Sequence, residues 1–180
     1  MSQQLLDLIV AKVNAALGEE ALLTKQEADG EDQEETEEKE EVEELALLNF
    51  EKPMIILTSD QWTTKLAKLL RDDPDLQFDF LQCVTGVDYK DYMEVVYNFY
   101  STTKKHYLYV KVRTSPEKLE VVSVDSLWKA ADYMEREIYD LLGIKFTGHW
   151  NMKRILLQDD WEGHPLRKDY ITDKKALGLD

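Results

Sequence analysis

The chain has 180 residues and a single cysteine, Cys83, which excludes an internal disulfide, a self-contained iron–sulfur cluster and a cysteine-built zinc site, each of which needs several thiolates. With 43 % hydrophobic and 10 % aromatic residues it can bury a core and is not a wholly disordered chain. The net charge of −15 is concentrated in residues 27–44, where twelve acids face one base, Lys39; that stretch carries −11 and the remainder −4, so there is no basic surface for a phosphate backbone and no nucleic-acid partner is expected.

Leu5, Leu6, Ile9, Val10, Val13, Ala16 and Leu17 form one apolar stripe and predict a helix over residues 3–17, stopped at Gly18. Residues 1–24 are read as an N-terminal helical segment and 25–44 as a solvated acidic linker. An α+β body follows over 45–143, and an extended tail over 144–180. No apolar run reaches the ~20 residues needed to cross a bilayer. The first residues lack the basic start and apolar centre of a signal peptide, so a reducing, cytoplasmic setting is expected.

In the body, Met54–Leu57 predicts a short strand. A helix from Gln61 to about Arg71 follows, capped by Ser59 or Asp60, with Trp62, Leu66, Leu69 and Leu70 on its apolar side. A second extended stretch begins at Phe78 and leaves through Gly86–Tyr89. Residues 93–102 and 106–114 both alternate, and their short link predicts an antiparallel hairpin. Glu120–Val124 predicts a further strand. A helix over Leu127–Leu142, capped by Asp125 or Ser126 and ended by Gly143, closes the body. Strands without intervening helices argue for a two-layer α+β domain with a mainly antiparallel sheet rather than a doubly wound parallel one.

From Ile144 neither periodicity persists, yet the tail is rich in aromatic and branched apolar residues. Such a segment either offers a surface to a partner or wraps back over its own sheet. Little local chemistry is present. The seven glycines build no phosphate-cradling loop and no nucleophile elbow. Cys83, on an apolar stretch, reads as a small buried hydrophobe. His106 reads as a surface residue near a turn. His149 and His164, near Asp159, Asp160 and Glu162, match no tight metal-ligand spacing and read as hydrogen-bonding groups. Lys129, Asp132, Arg136 and Asp140 make one helical stripe of i,i+4 pairs, read as a solvated face. Glu135 and Glu137 could anchor Lys153 or Arg154 of the tail, in which case charge reversal at Glu137 loosens it.

The run from Glu135 through Arg136, Glu137, Asp140, Gly143 and His149 resembles the signature of the C-subunit family of NADH-quinone oxidoreductase, the respiratory complex I. So does the continuation through Lys153, Arg154, Asp160, Trp161, His164, Pro165, Arg167, Lys168 and Tyr170. Homologous subunits occur in membrane-bound hydrogenases and F420H2 dehydrogenases. Trp150 stands where the family commonly places proline, Lys153 where arginine is frequent, and Ile171 where proline often follows the tyrosine. The resemblance implies a peripheral-arm subunit with no catalytic residues, cofactor or metal of its own. It would pack against the large quinone-site subunit, with iron–sulfur clusters and quinone on partner subunits and the membrane arm engaged indirectly. Its place would be the cytoplasmic face of the membrane. The signature residues would then be interface residues, fixing the tail by charge-assisted hydrogen bonds. The same scaffold role in a hydrogenase or ferredoxin-linked relative is one alternative, and a free-standing protein-binding adaptor is another.

Overall fold

The computed structural model describes residues 2–18 and 53–171; the acidic linker and the last residues of the tail lie outside them. The elements in chain order are α1 (Ser2–Leu17), β1 (Met54–Thr58), α2 (Thr64–Asp72), β2 (Phe80–Asp88) and β3 (Met93–Tyr100). After these come β4 (Tyr107–Thr114), β5 (Glu120–Val122), α3 (Ala131–Leu142) and β6 (Lys145–Thr147). The main sheet has the order β1-β4-β3-β2. The β2–β3 and β3–β4 pairings are antiparallel, and β1 joins β4 in parallel at one edge. This is the mainly antiparallel α+β layer read from the sequence.

Alternation decides which face the helices cover. Val95, Tyr97 and Phe99 of β3 and Leu108, Val110 and Val112 of β4 are fully buried. Trp62, Phe78 and Trp128 pack onto them, with Trp62 5.1 Å from Tyr97 and Trp128 4.7 Å from Phe99, ring centre to ring centre. The opposite face carries Glu94, whose buried carboxylate meets Lys111 and Arg113 at 3.3 Å each. α1 buries Ile9 and Val13, and its Lys12 bridges Asp73 and Asp75 just beyond α2.

Several boundaries depart from the sequence reading. The cap of α2 is Thr63, whose hydroxyl accepts from Leu66 N, not Ser59 or Asp60. The reason is upstream: the Gln61 side chain accepts from Thr58 N and closes a turn after β1, so the helix cannot begin there. Cys83 is exposed, not buried. A β-bulge between Leu81 and Cys83 shifts the register, so that Leu81 and Val84 face the core and Gln82 and Cys83 face out. α3 begins at Ala131 without a side-chain cap, later than expected. Val124–Ala130 instead forms consecutive turns, because the Trp128 indole N–H donates to Phe78 O at 3.0 Å and its ring is buried against Phe99. The helix ends at Gly143, as expected, in left-handed geometry at φ 81°.

β5 does not join the main sheet; it pairs in parallel with β6. The body therefore continues past Gly143, since Ile144 and Phe146 are buried in the same core. Beyond Thr147 no regular element is present among the described residues. No helix among them is long and apolar enough to cross a membrane.

Candidate docking site

The site is built where the tail folds back on α3. Asp140, one turn before the helix ends, is fully buried. Its Oδ2 accepts three consecutive main-chain N–H groups, from Ile155 (3.0 Å), Leu156 (2.8 Å) and Leu157 (3.0 Å). Its Oδ1 receives Arg154 Nη1 at 2.7 Å. Burial by itself would push this carboxyl up. The N–H groups of Leu157, Leu156 and Ile155 and the guanidinium outweigh it and hold the group down at about 2.

Arg154 is the second centre. Its Nη1 also donates to the main-chain O of Asp140 (3.2 Å), and its Nη2 to Trp161 O and Gly163 O, both 3.1 Å. One side chain thereby closes two loops of tail onto the helix end, where its charge also suits the helix dipole. His164 Nδ1 donates to the same Asp140 carbonyl at 2.9 Å, and Leu166 N to Leu141 O at 3.0 Å. Gly143 makes room for that histidine: a Cβ there would lie 2.6 Å from His164 Cδ2.

One turn earlier, Arg136 is buried and donates to Lys153 O (3.1 Å) and Arg154 O (3.3 Å), with its guanidinium 5.6 Å over the Tyr133 ring. At the start of α3, Asp132 takes the Trp150 indole N–H at 2.9 Å, and His149 Nε2 approaches Asp132 O at 3.3 Å. Further along, Lys168 N donates to Asp88 Oδ2 at 2.8 Å, tying the tail to the end of β2.

The structure thus brings Arg136, Asp140, Gly143, Arg154, Trp161 and His164 into one network. The stripe of Asp132, Arg136 and Asp140 is no solvated face, since Arg136 and Asp140 lie under the tail and only Lys129 of the stripe is exposed. The anchors are Arg136 and Asp140, not the flanking glutamates. Glu137 is exposed, and Glu135 points away to Ser123 and Val124 N. Lys153 joins through its carbonyl and Lys168 through its N–H, their side chains being exposed. Asp160 is exposed; Arg167 pairs with Asp169 at 2.9 Å, and Tyr170 N donates to Arg167 O at 3.1 Å. Pro165 is half-buried next to the His164 anchor. His149 and His164 sit on carbonyls two turns apart, and no group of three metal-ligating side chains occurs among the described residues. His106 is half-buried, with Nε2 2.7 Å from Leu76 O. Asp88 and Asp132 are anchors that spacing alone does not reveal. Only the strand-end position of Asp88, followed by an irregular segment, hints at its role.

The latched tail leaves apolar groups outside. Five of the eight large hydrophobic side chains exposed among the described residues lie on α3 or the tail: Tyr133, Trp150, Leu156, Leu166 and Ile171, each 60–89 % exposed.

Known proteins agree with this architecture. Residues 55–176 match the model of the respiratory-chain NADH dehydrogenase 30 kDa subunit family. A relative from Chloroherpeton thalassium, the C subunit of an NADH-quinone oxidoreductase, is 50 % identical over 122 residues, 67 % of this chain. The chain spans about half the length of that relative, 50 %. The C/D subunit of the NADH-quinone oxidoreductase of Phocaeicola vulgatus is 47 % identical over 103 residues, 56 % of this chain and 20 % of that protein. A chain from the structure of a membrane-bound sulfane sulfur reductase, an archaeal respiratory membrane complex, shares the fold with a TM-score of 0.61 at 22 % identity; the match covers 80 % of this chain and 94 % of that one. The chain belongs to the respiratory-chain NADH dehydrogenase 30 kDa subunit family, to which the C subunits of NADH-quinone oxidoreductase correspond.

Proposed function

We propose that this protein is a non-catalytic scaffold subunit of a complex I-type NADH:quinone oxidoreductase, peripheral to the membrane, and that its latched tail docks on a sister subunit. The observation that carries the reading is the pairing of rigidity with exposure. Asp140, Arg154 and Arg136 fix an irregular segment by main-chain hydrogen bonds, while Trp150, Leu156 and Leu166 on that segment remain uncovered. A segment held in place before binding forfeits less conformational entropy on docking, and exposed apolar anchors supply the contact energy.

The large quinone-site subunit is the partner proposed for this surface. The C/D relative, which joins two subunit names in one chain, supports such a close neighbourhood. Electron carriers and quinone are assigned to the sister subunits, since the single Cys83 cannot supply the thiolates of a cluster. The role of this chain in electron transfer and ion translocation is then to hold those subunits in register.

The test is affinity isolation of the tagged full chain from gently solubilised native membranes, with mass spectrometry of what accompanies it. Recovery of the large quinone-site subunit together with iron–sulfur and membrane subunits is expected. Recovery of this chain alone contradicts the scaffold role.

A further inference from the structure

Ser123 stands between two buried carboxylates. Its Oγ is 2.5 Å from Glu135 Oε2 and 3.0 Å from Asp125 Oδ1, and it also accepts Asp125 N–H at 3.2 Å. A hydroxyl has one hydrogen to give. If both carboxylates were ionised, one of the two oxygen–oxygen contacts would hold no hydrogen, and two anions would press on one oxygen where neither reaches water: Glu135 is fully buried and Asp125 is 4 % exposed. A second proton resolves the conflict. Glu135 is the better place for it, being the deeper group and the one at the shorter contact. Glu135 Oε2–H then donates to Ser123 Oγ, Ser123 donates to Asp125, and Glu135 Oε1 accepts Val124 N–H at 2.8 Å.

We propose that Glu135 is a proton-operated latch, closed as a neutral acid bridging α3 to the end of β5 and loosened when its proton passes to solvent.

The groups facing it agree. Asp125 approaches from the β5–α3 connection, Asp132 from the preceding turn of α3, and the buried Tyr97 phenol from β3. Asp125 and Asp132 oppose a negative charge on Glu135, burial and then the Glu135 carboxylate push the Tyr97 phenol up so that it stays neutral, and no cation among the described residues pairs with Glu135. Burial first, and then Asp125 and Asp132, push the Glu135 carboxyl up to about 7, against the hydrogen bonds from Ser123 and Val124 that favour the anion. The latch sits next to Arg136 and five residues before Asp140, so it steadies the helix that carries the tail. The inference stands whether or not the tail docks on a partner.

The experiment is a carbon-13 NMR titration of the side-chain carboxyls of the full chain, with Glu135→Gln to assign the resonance. Its companion is exchange of the Val124 amide across the same pH range, corrected for intrinsic rates. Glu135 is expected to titrate near 7 rather than at about 4.3, with Val124 protection falling through that midpoint. Glu135→Gln, whose amide can donate to Ser123 and accept from Val124, should keep that protection at all pH values. In Asp125→Asn the hydroxyl hydrogen is free for Glu135, so the midpoint should drop by about one unit or more. A Glu135 midpoint in the ordinary carboxylate range, or one unmoved by Asp125→Asn, overturns the proposal.

Discussion

Asp140 and Arg154 are joined twice: Nη1 of Arg154 donates both to the Asp140 carboxylate, at 2.7 Å, and to the Asp140 main-chain carbonyl, at 3.2 Å. The second oxygen of the same carboxylate gathers the N–H groups of Ile155, Leu156 and Leu157. A single buried acid therefore gathers four donors of the tail. Replacing it by alanine leaves three N–H groups and a guanidinium without their acceptor. Breaking such a buried pair costs about 3–5 kcal/mol. Because the tail can peel into water, the loss should appear as local opening rather than global melting. Asp140→Ala is expected to speed proteolysis C-terminal to Gly143 while leaving the unfolding of β3 and β4 nearly unchanged. Unaltered cleavage would show that the tail is held elsewhere.

The same residue sets an acid limit. Its carboxyl is held at about 2 against 3.8 for an ordinary aspartate. A depressed carboxyl gives stability that is present above the unfolded value and is lost as pH falls through the folded one, so roughly 2 kcal/mol should drain away between about pH 4 and pH 2. Asp140→Asn should flatten that acid limb in a pH series of tail-protection measurements. A limb of the same depth in the variant would assign the acid lability to another group. Glu135 has the opposite sign: its raised carboxyl withdraws stability as pH climbs from 4.5 to about 7.

Gly143 carries two constraints at once, a φ of 81° and the His164 ring lying where a Cβ would sit. Gly143→Ala should cost about 1–3 kcal/mol through backbone strain and should also push His164 off the Asp140 carbonyl. Thermal melting measures the first effect, and the NMR chemical shifts of the His164 ring, compared between the variant and the wild type, measure the second. A variant with a wild-type melting temperature would contradict the packing described.

Thr63 caps α2, so Thr63→Ala should lower stability by about 1 kcal/mol. Ser59→Ala should leave it nearly unchanged. Chemical denaturation of the two variants separates them; equal losses would restore the earlier start of the helix.

These caps show where the sequence is informative. Alternation makes the β3–β4 hairpin legible residue by residue, because period-two burial needs only local information. The apolar stripe of α1 and the glycine stop of α3 are equally plain. Thr63 is not, because the Gln61 side chain is tied into a turn that no periodicity reports. The exposure of Cys83 is hidden for a similar reason: one bulge reverses the facing of each residue after it. The charged stripe of α3 misleads most. Spacing puts Arg136 and Asp140 on one face but is silent on what covers that face, which is chain 14–18 residues further on. The tail's aperiodicity is readable; its attachment to Arg136, Asp140 and Asp88 is not.

The most direct test places a photo-crosslinking residue at Leu156, Leu166 or Phe80 of the full chain in native membranes. Leu156 and Leu166 lie on the latched tail, whereas Phe80, also exposed, begins β2. Crosslinks from both tail positions to one other subunit of the oxidoreductase are expected, with that product lost in Asp140→Ala. Tail positions that crosslink to no other chain, while the intact complex is present, would contradict docking through the tail.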